Sequence, residues 1–253
     1  MEMWMRSFAP VLTLVLAASA CEDGATDTTT FDEAALRADV ALVAADGMFQ
    51  DLAHMESATF WAGTGFAPEA AGIEFQGNIS FNRTVTFLNE AGEEQERYDP
   101  ISTASIHVVS SFHRIASHSF WSADIKRDRD MMVTGLLNEE TQRTWNGTGN
   151  SVVSKSRHPQ GGALREYDMT GTASIENVVR GVPRFENPYP LSGTITRDIH
   201  VIRTVDGVTV ERDIRAVITF NGTQFASMEV DGEVFQVDLA EGGLRQQFKG
   251  QNG

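Results

Sequence analysis

The chain has 253 residues, of which 35 are acidic and 20 are basic, so its formal net charge is -15 at pH 7. This balance lacks the basic stripe that phosphate binding needs, which argues against a nucleic-acid partner, and it disfavours lying flat on an anionic membrane. The single cysteine excludes an intramolecular disulfide. The length and a hydrophobic fraction of 41% suit a globular domain with a substantial core.

The first twenty residues have the parts of a bacterial signal peptide. Arg6 supplies the positive charge, and residues 8–18 form an apolar run that is too short to span a bilayer. The segment Ala18-Ser19-Ala20-Cys21 resembles the lipobox of bacterial lipoproteins, although alanine stands where leucine is commonest in that family. The resemblance implies cleavage before Cys21 and a diacylglycerol on its thiol. Ala18 and Ala20 also suit the ordinary signal peptidase, which would leave Cys21 as a free thiol.

The lipobox also implies an address. In bacterial lipoproteins the residue after the cysteine influences sorting, and Glu22 is not the aspartate associated with retention in the inner membrane. We therefore expect a cell-envelope protein that the Cys21 lipid anchors in the outer membrane. Residues 21–29 are acidic and then threonine-rich, which predicts a lipidated tether. Residues 30–253 are predicted to form one mainly β domain.

An N-terminal helix is predicted over about residues 30–56. Thr30 and Glu33 have the spacing of a capping box, and Leu36 and Val40 begin an apolar face at helical spacing. The pair Asp46-Gly47 interrupts this pattern, so we expect two helical pieces that pack on the sheet by their apolar face. Glycines and a proline within residues 61–73 predict a loop.

From about residue 74 onward, apolar and polar residues alternate with a period of two, which is typical of strands with one buried face. Asp206-Gly207, Asn221-Gly222 and Asp231-Gly232 favour type I′ hairpin turns. A long sheet of this kind twists and curls. The predicted fold is therefore mainly β, a strongly curved or half-open antiparallel meander of roughly ten strands with the helix packed on it.

The chain carries no catalytic motif that we recognise. His107, His113 and His118 are the densest histidine group, but on one strand the first two lie about 20 Å apart, which does not build a metal site. Asp128 and Asp130 share a strand face beside Lys126, Arg127 and Arg129, and a solvated charge ladder explains them better than acid–base catalysis. We predict no enzyme activity, no metal and no cofactor.

Arginines interrupt the apolar faces of four predicted strands. A charge among core positions is costly unless it is paired or reaches water. If the sheet curls, these side chains would converge on its concave face and offer an anion several donors. The candidate anion- or ligand-binding residues are Arg83, Arg114, Arg197 and Arg212.

Two functions follow from this sequence, while a third, a hydrolase that uses scattered carboxylates, has no motif that supports it. The first is an envelope interaction or structural protein without enzymatic activity. The second is a carrier that holds a lipid or another amphiphile on the concave face. That outline is similar to the outer-membrane lipoprotein-localisation carriers, whose architecture implies an acyl-chain site there, although no motif of theirs is present.

Overall fold

The computed structural model describes residues 33–60, 77–138, 140–158 and 163–240. The signal peptide, Cys21, the tether and the loop predicted over residues 61–73 lie outside these ranges and stay predictions. Among the described residues, no helix combines the length and apolarity needed to cross a membrane.

An open antiparallel sheet of ten strands dominates the fold, which confirms the mainly β prediction. Strands that follow each other in sequence pair in the sheet from β3 to β10, and β1 lies between β3 and the edge strand β2. The strands are β1 (Gly77–Leu88), β2 (Glu94–Gln95), β3 (Ser105–His118), β4 (Trp121–Thr134), β5 (Gln142–Arg157), β6 (Arg165–Gly181), β7 (Ser192–Val205), β8 (Val208–Thr219), β9 (Phe225–Val230) and β10 (Glu233–Asp238).

A single helix, α1 (Glu33–Phe60), packs on one face of this sheet. The expected break at Asp46-Gly47 is wrong, because α1 runs through it without interruption. Glycine is required here for space, since a Cβ at Gly47 would lie 2.7 Å from the Cζ atom of Arg197. The glycine therefore marks a close approach between helix and sheet, not the end of a helix.

The sheet curves so that strands near both of its edges reach α1. His54 and Phe81 of β1 have ring centroids 5.1 Å apart, and the Nε atom of Arg37 lies 3.0 Å from Oε2 of Glu233 in β10. We call the face toward α1 the inner face and the opposite one the outer face. On β4 the inner face holds buried residues such as Ile125 and Met131, which alternate with polar outer residues as the period of two predicts.

Two of the three predicted hairpin turns are confirmed. Asp206-Gly207 joins β7 to β8 and Asp231-Gly232 joins β9 to β10, each with positive φ at both residues, as a type I′ turn requires. At Asn221-Gly222 the hairpin is present, since β8 pairs with β9, but the predicted type I′ turn is wrong, because residues 220–224 form a longer connection. There the Asn221 side chain accepts a hydrogen bond from the Thr223 backbone at 3.1 Å, which is a local Asx turn.

Candidate functional site

A buried carboxylate and two buried guanidinium groups join α1 to the middle of the sheet. Asp51 is 1% exposed; its Oδ1 accepts a hydrogen bond from Arg129 Nε at 2.6 Å, and its Oδ2 accepts one from Arg197. Arg129 comes from β4 and Arg197 from β7. We call these three residues the Asp51 triad.

The strand register explains how arginines from distant strands reach one carboxylate. Arg129, Gly149, Ala173 and Arg197 are successive partners in one cross-strand row, so the two arginines flank two small residues. Three strand spacings separate their Cα atoms by about 14 Å. The small residues leave room for α1 above them, and a Cβ at Gly149 would lie 2.5 Å from Arg129 Nη1.

The Asp51 triad keeps its charges although it is shielded from water. Burial by itself would raise the pKa of Asp51, but the Arg197 and Arg129 guanidinium groups outweigh it and hold that pKa below its ordinary value. Burial lowers the pKa of Arg197 to about 10, so this group stays protonated at neutral pH. Two guanidinium groups share one carboxylate, so the triad retains one positive charge in excess, and Arg129 Nη2 and Arg197 Nε have no hydrogen-bond partner among the described residues.

Further polar contacts hold the part of α1 that precedes Asp51. Asp46 Oδ2 lies 2.9 Å from Arg127 Nη2, and Gln50 accepts a hydrogen bond from the same guanidinium group. Toward the helix start, the Tyr167 hydroxyl donates to Asp39. Because burial and this carboxylate both disfavour the phenolate, the pKa of Tyr167 rises to about 12. The helix is thus held by polar contacts as well as by its apolar residues.

A small cavity of about 220 Å³ lies near the other end of α1, between Met55, Trp145 and Arg180. The Trp145 indole Nε1 is buried and has no hydrogen-bond partner among the described residues. Glu56 pairs with Arg180 at 3.0 Å and with Arg184 at 2.7 Å. Both arginines therefore share one carboxylate of the chain, Glu56.

The four arginines predicted from the sequence have different surroundings. Arg197 is buried, and its carboxylate partner is Asp51 of the same chain. Arg83 is partly exposed on β1 in the same cross-strand row, and its Cζ lies 5.9 Å from the centroid of the Phe81 ring. Arg114 is partly exposed and Arg212 is exposed, each four residues along its strand from this row. Their joint anion site stays a prediction.

Sequence reasoning does not identify Arg127 and Arg129 as buried residues, because it places them with Asp128 and Asp130 in a row of solvent-exposed charges. That interpretation suits Asp128 and Asp130 on the outer face but is wrong for the two arginines, which are buried on the inner face. The signal was present, because the alternation along β4 puts both arginines in phase with Ile125. Their partners on α1 are distant in sequence and gave no local sign.

The outer face presents polar side chains and cross-strand pairs. His107 pairs with Asp130 at 2.7 Å, and His113 pairs with Asp124 at 2.8 Å. Among the described residues, no group of three or more His, Cys, Asp or Glu side chains is placed to hold a metal ion. Two shallow, open grooves that meet at Asn150 cross this face. They offer hydroxyl, amide and carboxylate groups to a partner.

In comparisons with protein-family models, with curated proteins and with solved structures, nothing matched this chain.

Proposed function

We propose that this protein is a lipid-anchored component of the bacterial cell envelope that works by binding a partner and carries out no chemistry of its own. The observation that favours partner binding is the occupancy of the inner face by α1. Asp46 and Asp51 of α1 occupy the positions beside the buried guanidinium groups of the sheet that an external anion would otherwise take. A partner would then use the outer face or an end of the sheet.

The anchor rests on the position of Cys21. It is the only cysteine of the chain, and it directly follows the small residues of the lipobox-like segment. Two or three acyl chains would give stable anchoring, because each buried CH₂ contributes about 0.8 kcal/mol. Intact-mass analysis of membrane-extracted protein should show a chain that begins at Cys21 with acyl groups attached. A mature chain with an unmodified thiol would contradict the anchor.

The binding role can be tested by photocrosslinking in the native envelope. A photoreactive side chain at Val109 or Val152, both exposed on the outer face, should give discrete adducts with one protein. The charge reversals Asp128→Lys and Asp198→Lys should remove these adducts, because they change the groove charge without touching the Asp51 triad. Partner binding at this face would be contradicted if the adducts survive both reversals, or if no adducts form in the unaltered protein.

One observation favours the carrier as a second candidate. The Asp51 carboxylate occupies the place between Arg129 and Arg197 that an anionic headgroup would take if α1 moved away. The sheet would then offer guanidinium donors beside apolar side chains, which matches an amphiphile. Native mass spectrometry of protein from its own host separates the two candidates. A small anionic amphiphile that co-purifies in a 1:1 ratio would favour the carrier.

A further inference from the structure

One end of the sheet exposes apolar side chains at three successive connections. Phe120 is 50% exposed and Trp121 is 39% exposed at the β3–β4 turn. Leu164, just before β6, is 42% exposed, and Val208 at the β7–β8 turn is 60% exposed. We call these four residues the apolar rim. Turn positions normally favour glycine and polar residues, so a row of exposed apolar side chains at turns is unexpected there.

The apolar rim has a fixed framework. The backbone N–H of His158 donates to the Phe120 carbonyl at 2.8 Å, which ties the β3–β4 turn to the end of β5. The last cross-strand row crosses five strands, about 19 Å, and combines an aromatic side chain, two guanidinium groups and two valines. It runs through Trp121, Arg157, Arg165, Val205 and Val208. Tryptophan and arginine side chains with an apolar body and a polar tip suit a membrane–water interface.

Helix α1 begins at this same end of the sheet. Asp39, near its start, bonds to Tyr167, which is two residues into β6 from the rim. Glu56, near the end of α1, pairs with Arg180, close to the other end of β6. The six residues of α1 that precede Asp39 span about 9 Å, and one of them, Arg37, pairs with Glu233 on the edge strand β10.

The covalent chain limits where the membrane can lie. Cys21 precedes Glu33 by twelve residues, which span at most about 43 Å when fully extended. From the rim end this length reaches a bilayer surface easily. To bring the opposite end of the domain to the membrane, the same residues would have to be almost fully extended along α1, which is itself about 42 Å long.

The charge distribution favours the same orientation. At the rim, Arg157 and Arg165 stand beside Asp206 and Glu166, so positive and negative groups balance. The opposite end is strongly acidic and would be repelled by anionic lipids. Its carboxylates include Glu90, Glu93, Glu94, Glu96 and Asp99.

We propose that the apolar rim docks end-on against the membrane that holds the Cys21 lipid, with Phe120 and Trp121 among the lipid headgroups. This inference rests on the proposed lipid anchor. It adds an orientation, in which the grooves of the outer face stand away from the bilayer and stay open to a partner.

Tryptophan fluorescence in vesicles with brominated phospholipids tests the docking. We expect strong quenching in the lipidated full-length mature protein. Trp121→Phe, which retains Trp61 and Trp145, should remove most of it. Phe120→Ser should reduce the quenching of Trp121 several-fold. Phe185→Ser is the matched control, because Phe185 is 82% exposed at the opposite end, and it should leave the quenching unchanged.

The outcomes separate the docking from the anchor. If the protein proves to be unlipidated, the sole cysteine is coupled to a maleimide lipid, which places the membrane at the same residue, and the measurement is repeated. Quenching that Trp121→Phe removes supports the docking in either case. Equal fluorescence in brominated and ordinary lipids, or quenching that Trp121→Phe leaves intact, would overturn it even when the acyl groups are present.

Discussion

Removal of the Asp51 carboxylate is expected to destabilise the fold strongly. Asp51→Ala leaves Arg129 and Arg197, which are both buried, without their carboxylate. Breaking a buried ion pair by removing one partner costs about 3–5 kcal/mol, and here one substitution affects two guanidinium groups. A domain of this kind has a free energy of unfolding of about 5–15 kcal/mol, so the variant should lose about a fifth of its stability or more.

The measurement is equilibrium unfolding in urea, monitored by circular dichroism, of residues 21–253 with Cys21→Ala. Asp168→Ala is the matched control, because its exposed carboxylate accepts a hydrogen bond from Ser154 on the outer face, and its effect should stay within about 0.5 kcal/mol. The triple replacement of Asp51 by Leu and of both arginines by Met removes every charge of the triad. It should recover most of the lost stability, because apolar residues of similar volume often replace a buried ionic cluster without loss.

Two results would refute this reasoning. A cost of less than about 1 kcal/mol for Asp51→Ala would mean that water reaches the arginines and that the triad is not a buried ionic cluster. A triple variant as unstable as the single one would mean that the cost comes from a packing defect, not from unmatched charge.

Two further predictions concern residues next to the triad. Alanine in place of glycine within a helix usually stabilises a protein by about 1 kcal/mol. Gly47→Ala should instead destabilise this protein in urea unfolding, because the new Cβ meets the Arg197 guanidinium group. In the Arg197→Ala background, where that group is absent, the same change should become stabilising. Burial lowers the pKa of His54 to about 4. As the pH falls, the His54 side chain therefore becomes protonated in the unfolded chain before it does so in the folded one. The free energy of unfolding should fall by about 3 kcal/mol between pH 6.5 and pH 4. His54→Gln should reduce this slope, whereas His158→Gln at an exposed site should not.

The sequence determined most of the fold because local patterns encode it directly. The period of two along β4 and the two Asp-Gly turns with positive φ both correspond to observed elements. The register between strands was not readable in the same way. That Arg129 and Arg197 share a cross-strand row depends on the lengths of three hairpins between them, and no local residue pattern specifies those lengths.

The same limit explains the error at Asp46-Gly47. Within the helix alone, glycine is unfavourable and an aspartate–glycine pair favours a turn, so local propensity predicted a break. Tertiary contacts overrode this propensity, since Arg127 pairs with Asp46 and the Arg197 guanidinium group needs the space that a side chain at residue 47 would fill. Both partners lie more than 75 residues away along the chain.

The polar contacts of α1 also fix its position along the sheet. A helix held only by apolar contacts could move by one turn, about 5.4 Å, and still bury similar residues. Asp51 between arginines of two distant strands, together with Asp39 at Tyr167 and Glu56 at Arg180, is satisfied at one position only. Asp39 contacts Tyr167 near the rim end of β6 and Glu56 contacts Arg180 near its other end, so these contacts also fix the direction in which α1 runs along the sheet. If the apolar rim docks on a membrane as proposed, its orientation there and the buried ion pair both depend on this packing arrangement, and substitutions at Asp51 should disturb both.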